Sequence, residues 1–134
     1  MSINPTLAGK RILLVDDDED RRVLLTQFFK IFQTDLITAA SGKEGLGLLG
    51  TQGQSFDLII LDVMMGDMLG WDVFKQTKLA DENFDTPVLF LTSLGEEARG
   101  AFEALDAGPN CRLESKGIST NELMKVAETM IAGA

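Results

Sequence analysis

Three stretches of the chain repeat one pattern: a short unbroken run of apolar residues that stops abruptly at a polar group. Ile12-Leu13-Leu14-Val15 runs into Asp16 and Asp17, Leu58-Ile59-Ile60-Leu61 into Asp62, and Val88-Leu89-Phe90-Leu91 into Thr92 and Ser93. Runs of that length, rich in branched side chains and lacking polar alternation, predict strands buried on both faces of a parallel sheet. The first strand is placed from Lys10, and two shorter segments, Asp35–Ala40 and Cys111–Glu114, predict two more. Asp62 ends the central run and is followed by glycines at Gly66 and Gly70. The carboxyl end of a strand is where ligands collect in an open α/β sheet.

Between the runs the apolar spacing changes to that of helices. Arg21 to Phe32 carries Leu24, Phe28, Ile31 and Phe32 at i, i+4, i+7 and i+8, with Asp18 as N-cap. Ser41-Gly42-Lys43-Glu44 is a capping box that opens a helix through about Leu49. A third helix spans Gly70 to Ala80 with Trp71, Val73 and Phe74 inward. Ser93-Leu94-Gly95-Glu96 reads as a second capping box, with Ala98, Ala101, Phe102 and Leu105 inward and Gly108 as C-cap. Ser119 caps the last helix, with Leu123, Ala127, Met130 and Ile131 inward. Strand and helix thus alternate five times, which predicts an α/β, doubly wound, five-stranded parallel sheet with five helices, flavodoxin-like, in the order 2-1-3-4-5. In that order strands one and three are neighbours, so Asp16, Asp17 and Asp62 converge at the switch point.

Composition narrows the chemistry. The 134 residues have room for one domain, 1–134 with a core over about 10–131. A net charge of −9 argues against nucleic acid and against anionic membrane surfaces. MSINPTLAGK lacks the apolar core of a signal peptide and no run is long enough to span a bilayer, so the expected location is cytoplasmic. With no histidine and the single Cys111, a zinc site of the usual kind and a histidine base are excluded. Cys111 itself reads as a buried, inert thiol.

The remaining chemistry belongs to carboxylates, hydroxyls and amines. Of the acidic run Asp16-Asp17-Asp18-Glu19-Asp20, the last three read as cap and helix-dipole residues and the first two as strand-end groups. Three carboxylates in one crevice repel unless a divalent cation neutralises them, and an all-oxygen site suits Mg²⁺. A carboxylate beside Mg²⁺ can attack phosphorus and form an aspartyl phosphate, with Thr92 supplying a hydroxyl and Lys116 a charge.

The segments V-D-D at 15–17, D-L-I-I-L-D-V-M-M at 57–65, D-M-L-G-W at 67–71 and P-V-L-F-L-T-S at 87–93, with Ala107-Gly108 before the last strand, closely resemble receiver domains of two-component response regulators. The resemblance implies Asp62 as phosphoacceptor, Asp16 and Asp17 as the metal-binding acid pair, the Met64 backbone carbonyl as a further ligand, and Thr92 as the switch hydroxyl. It implies a sensor histidine kinase or phosphotransfer protein as donor and a downstream target protein. Gly66 stands where the family usually has proline, which loosens the loop after Asp62. A gapless match to the family's G-A-D-D-Y-L-x-K puts Ser115 at the lysine position and Arg112 at the aromatic one, leaving Lys116 one residue late. On that register Lys116 reaches the pocket only through a bulge or turn, and Arg112 is an edge-strand charge or a contact for an acidic partner.

The leading expectation is a stand-alone response regulator, a phosphoacceptor and not an enzyme, with the chain ending at its last helix and no output domain attached. A non-phosphorylated pseudo-receiver, supported by Ser115 and Arg112, stands second. A small phosphatase built on Asp16 and Asp18 leaves Asp62 unexplained, and a flavin binder is disfavoured because the acidic run repels the cofactor's phosphate. The first helix has more large apolar residues than one buried face needs, which points to a docking surface for a kinase or target helix or to a homodimer, the chain being a monomer or weak dimer.

Overall fold

The computed structural model describes residues 4–51 and 55–133. Its elements are β1 (Arg11–Val15), α1 (Glu19–Lys30), β2 (Asp35–Ala39), α2 (Gly42–Gly50), β3 (Leu58–Asp62), α3 (Gly70–Ala80), β4 (Val88–Thr92), α4 (Gly95–Leu105), β5 (Cys111–Ser115) and α5 (Thr120–Ala132). All five strands are parallel, in the order β2-β1-β3-β4-β5. The doubly wound sheet and its helix count are as the alternation of runs predicts.

Every residue of β3 and β4 is buried, because helices cover both faces of the sheet centre. The pleat sorts each strand into two cores. Leu13, Val15, Ile59, Leu61, Val88, Phe90 and Leu113 pack with Trp71, Val73, Phe74 and Ala98 on the α3 and α4 side. Ile12, Leu14, Leu58, Ile60, Leu89 and Leu91 pack with residues of α1 and α5 on the other. Leu7, in the lead-in that the sequence marks only as polar, is fully buried in this second core, and Thr34 donates its hydroxyl to the Leu7 carbonyl at 3.1 Å. A lone leucine carries no periodicity, so no pattern could place it.

The inward face of α1 is only partly the predicted one: Phe28 and Phe32 pack against the core, but Leu24 and Ile31 do not. Leu25 and Phe29 are the buried residues, whereas Leu24 is 53% and Ile31 67% exposed. The stripe that faces the sheet runs through Arg21, Arg22, Leu25, Phe29 and the partly buried Phe28 and Phe32. That stripe begins with two arginines that bind Asp16, so an apolar count alone takes the wrong phase. The helix also begins two residues earlier than read, with Glu19 and Asp20 in its first turn and Asp18 as N-cap accepting from the Asp20 N–H.

Two caps are corrected. α4 has Leu94 at its N-cap with no side-chain bond, and the Leu94 N–H goes to Thr92 Oγ1 at 2.9 Å, so Ser93 caps nothing. The same helix ends at Asp106, in the left-handed region at φ 50°, while Gly108 (φ 100°) shapes the turn that follows. Met130 is only partly buried on α5, where Val126 fills the core beside Leu123, Ala127 and Ile131.

Candidate functional site

Strand register brings the acids together. Val15 pairs with Leu61, so Asp16 and Asp62 follow side by side at the carboxyl edge of the sheet. One carboxylate oxygen from each of Asp16, Asp17 and Asp62 lies within 4.8 Å of the others. Asp16 and Asp62 are fully buried and Asp17 is exposed, so the cluster opens to solvent on the Asp17 side. Oxygens of both buried acids, Oδ2 of Asp16 and Oδ2 of Asp62, have no hydrogen-bond partner. Buried acceptors left in that state cost free energy unless a cation or a donor group reaches them. An all-oxygen donor set with open positions, made of two buried carboxylates and one exposed one, fits a Mg²⁺ ion that keeps waters.

Each acid is held by different partners. Asp16 Oδ1 accepts the Asp18 N–H at 2.9 Å, Arg21 Nε lies 3.2 Å from Oδ2, and Arg22 Nη1 donates to the Asp16 carbonyl at 2.7 Å. Burial pushes the Asp16 carboxyl above its ordinary range, against the Asp18 N–H, and the Asp62 charge adds to the rise while Lys116 and Arg21 oppose it. Asp17 Oδ2 accepts the Gly66 N–H at 3.1 Å. Asp62 Oδ1 accepts the Met64 N–H at 3.1 Å and pairs with Lys116 Nζ at 2.8 Å.

The reach of Lys116 overturns the expected register of the last strand. β5 is unbulged from Cys111, opposite Val88, to Ser115, opposite Thr92. Leu89 lies beside both Ile60 and Arg112, and Leu91 beside both Asp62 and Glu114, so the next residue on that face is Lys116. Its N–H continues the ladder to the Thr92 carbonyl at 2.8 Å. The gapless match from Gly108 fails because the turn between Leu105 and Cys111 takes up the extra residue. Counting back from Lys116 puts Leu113, not Arg112, at the family's aromatic position.

Ser115 is exposed and turns its hydroxyl back to accept the Gly117 N–H at 3.0 Å. Arg112 is exposed and pairs with Glu114 on its own strand at 2.8 Å, which makes it an edge-strand charge. Thr92 is buried, and a hydroxyl that accepts one bond, here from Leu94, keeps its own proton to donate. Beside it, Leu113, Glu96, Arg99 and Ser115 line a cleft of about 420 Å³. Cys111 is partly buried and burial pushes its thiol up, away from the reactive thiolate.

Two groups that sequence reasoning passed over, one in the loop after β3 and one on α1, also bear on the site. Asp67 bridges to the start of α2, accepting from Gly42 N–H at 3.0 Å and Lys43 N–H at 2.9 Å, bonds that hold its carboxyl below the ordinary range. Arg21 faces Asp16; the only signal for it was an arginine immediately after five acids.

Three carboxylates, a hydroxyl and a lysine are thus gathered at the carboxyl edge of a doubly wound sheet, the place where such folds collect ligands. The family model of the response regulator receiver domain matches residues 12–128, and the chain belongs to that family. It is 31% identical over 121 residues to the response regulator SaeR of Staphylococcus epidermidis, covering 90% of this chain and 50% of that one. To the transcriptional regulatory protein CpxR of Escherichia coli it is 38% identical over 87 residues, 65% of this chain and 35% of CpxR. The chain therefore spans half or less of these curated relatives. Among solved structures it resembles chemotaxis protein CheY4 of Vibrio cholerae (TM-score 0.78, 27% identity, 92% of this chain and 99% of that one). It also resembles TrrA of Thermotoga maritima, solved in complex with Mg²⁺-BeF (TM-score 0.74, 26% identity, 90% and 98%).

Proposed function

We propose that the chain is a signalling phosphoacceptor in which Asp62 takes a phosphoryl group from a phosphohistidine of a sensor kinase or phosphotransfer protein. The observation that carries this reading is the convergence of Asp16, Asp17 and Asp62 within 4.8 Å, with Lys116 Nζ at 2.8 Å from the acceptor carboxylate. An Asp62 oxygen attacks phosphorus in line, the phosphorus–nitrogen bond breaks, and its electron pair returns to the leaving imidazole, which takes up a proton. Lys116 stabilises the negative charge that collects on the transferring oxygens, and the Thr92 hydroxyl is the group at the neighbouring strand end able to donate to them. Asp16 and Asp17, with Asp62 and the Met64 carbonyl, would hold Mg²⁺, which supplies positive charge for the transferred group. The Mg²⁺ in the TrrA structure supports that assignment by analogy.

Lys116 beside Asp62 favours an acceptor over the non-phosphorylated module, whose support was Ser115 at the lysine position and Arg112 at the aromatic one. Asp18, which caps α1, falls outside the carboxylate cluster and gives a phosphatase no second acid. No helix among the described residues is long and apolar enough to cross a membrane, and the reading places the chain in the cytoplasm. Signalling proceeds by protein contact. The exposed Val23, Leu24 and Ile31 of α1 are a natural place for a partner or a weak dimer to dock.

The test is intact mass after incubation with a small-molecule phosphodonor, in Mg²⁺ and in chelator. One Mg²⁺-dependent phosphoryl gain that Asp62→Asn abolishes and Asp18→Asn leaves is the expected result. Asparagine keeps the α1 cap, so the second variant separates chemistry from folding. The opposite pattern, or no gain in the native chain, removes the acceptor reading.

A further inference from the structure

Asp16 is approached by two consecutive arginines that do different things. Arg22 makes a short bond to its backbone carbonyl at 2.7 Å, a fixture of the β1–α1 turn. Arg21 faces the carboxylate, with Nε 3.2 Å from Oδ2, yet neither atom has a hydrogen-bond partner, so the pair attracts without directional geometry. Oδ1 is committed to the Asp18 N–H. Oδ2 is thus the oxygen free to ligate a cation, and it is the oxygen that Arg21 addresses. The Arg21 side chain is 25% exposed, at the solvent margin of the crevice, while the Asp16 carboxylate is fully buried.

We infer that Arg21 competes with a divalent cation for the Asp16 carboxylate and so sets how tightly the acidic cluster holds that cation. The inference rests on the cation-site reading given above. A guanidinium and a divalent ion cannot both sit against one buried oxygen, so each mole of ion bound displaces the arginine. Releasing a misaligned ion pair costs less than breaking a bidentate one, which makes the arginine a restraint and not a block. When Arg21 is removed, Asp16 is left buried and without its cation, and the ion gains the difference.

The probe is Mn²⁺ alone, its free fraction read by electron paramagnetic resonance, on the native chain, Arg21→Gln, Arg21→Lys and Arg22→Gln. Arg21→Gln is expected to bind about tenfold tighter, on the order of 1.4 kcal/mol. Arg21→Lys falls between it and the native chain. Arg22→Gln, which removes the same charge without touching the carboxylate, gains clearly less. In chelator Arg21→Gln melts below the native chain, and saturating Mn²⁺ narrows the gap. Native-like or weaker binding by both Arg21 variants overturns the inference, as does an equal gain in Arg22→Gln. Absence of Mn²⁺ binding in the native chain and in every variant overturns the cation-site reading itself, a result distinct from unchanged binding.

Discussion

The two strand ends that deliver the carboxylates are built in opposite ways. After β1 the chain enters α1 directly, Asp18 caps that helix from within the acidic run, and arginines of the same helix meet the excess charge. After β3 the segment Val63–Leu69 intervenes, α3 has no side-chain cap, and the loop's acid Asp67 caps α2 instead. The first end is held by its own helix. The second is held by other parts of the chain: α2 through Asp67, Asp17 through the Gly66 N–H, and the end of β5 through Lys116. Asp62 therefore sits on the segment whose ties run across the molecule, and a charge change there bears on several elements at once.

The sharpest way to test that dependence is at the point where β3 and α3 touch backbone to backbone. The Gly70 N–H bonds the Val63 carbonyl at 2.8 Å, and a methyl group on Gly70 would overlap the Asp62 carbonyl and lie 3.1 Å from the Val63 Cα. Backbone cannot rotate aside, so Gly70→Ala should cost about 1–3 kcal/mol, read as a lower urea midpoint. Gly47→Ala on α2, where a methyl meets nothing within 4 Å, should move the midpoint the other way. Equal stability of the two variants would mean that the β3–α3 junction yields, and that the contrast between the two ends is weaker than the geometry indicates.

What the sequence revealed follows the same division. The apolar runs fix the strands because burial on both faces leaves no other pattern, and the acid at each run's end marks the crevice. Asp16, Asp17, Asp62 and Thr92 are legible as residues at strand ends, whereas Lys116 reads as one residue late. The register of β5 is not legible, because the extra residue is absorbed in a turn where Asp106 and Gly108 both adopt positive φ, and turn conformation leaves no periodic trace. Nor is the phase of α1 legible, since its sheet-facing stripe starts with Arg21 and Arg22. Asp67 was hidden for a third reason: it serves a helix distant in sequence, and capping motifs are read only locally.

A smaller effect tests whether the loop after β3 is tied or loose. Gly66 does not adopt a positive φ, and a methyl group there would come no nearer than 3.9 Å to Asp17 Oδ2, so alanine fits and keeps the N–H that Asp17 accepts. Proline, the usual residue of the family at this place, has no N–H to give. Gly66→Ala should be as stable as the native chain or slightly more so. Gly66→Pro should fall about 1 kcal/mol below it. In an Asp17→Ala background the gap between the two should close if the hydrogen bond is its cause, and a gap that persists assigns it to proline's backbone geometry.

The smallest effect distinguishes the two ends by the direction in which they titrate. Asp67 is solvent-exposed, and the Gly42 and Lys43 N–H groups lower its folded pKa below the ordinary 3.8. Between those values the unfolded chain binds more protons than the folded one, so this contribution is present above pH 3.8 and is lost as pH falls through the folded pKa. Asp16 is the reverse: burial raises its folded pKa above 3.8, so the folded chain binds more protons and stability declines as pH rises across that window. A raw stability curve mixes the two, whereas the difference between the native chain and Asp67→Asn isolates the first. That difference should be constant near neutral pH, shrink only in the acid range, and be reduced by salt because the carboxylate is exposed. A difference that survives unchanged to the lowest pH would show that the bridge from Asp67 to α2 depends on shape rather than charge, since asparagine cannot present two carboxylate oxygens to both amides.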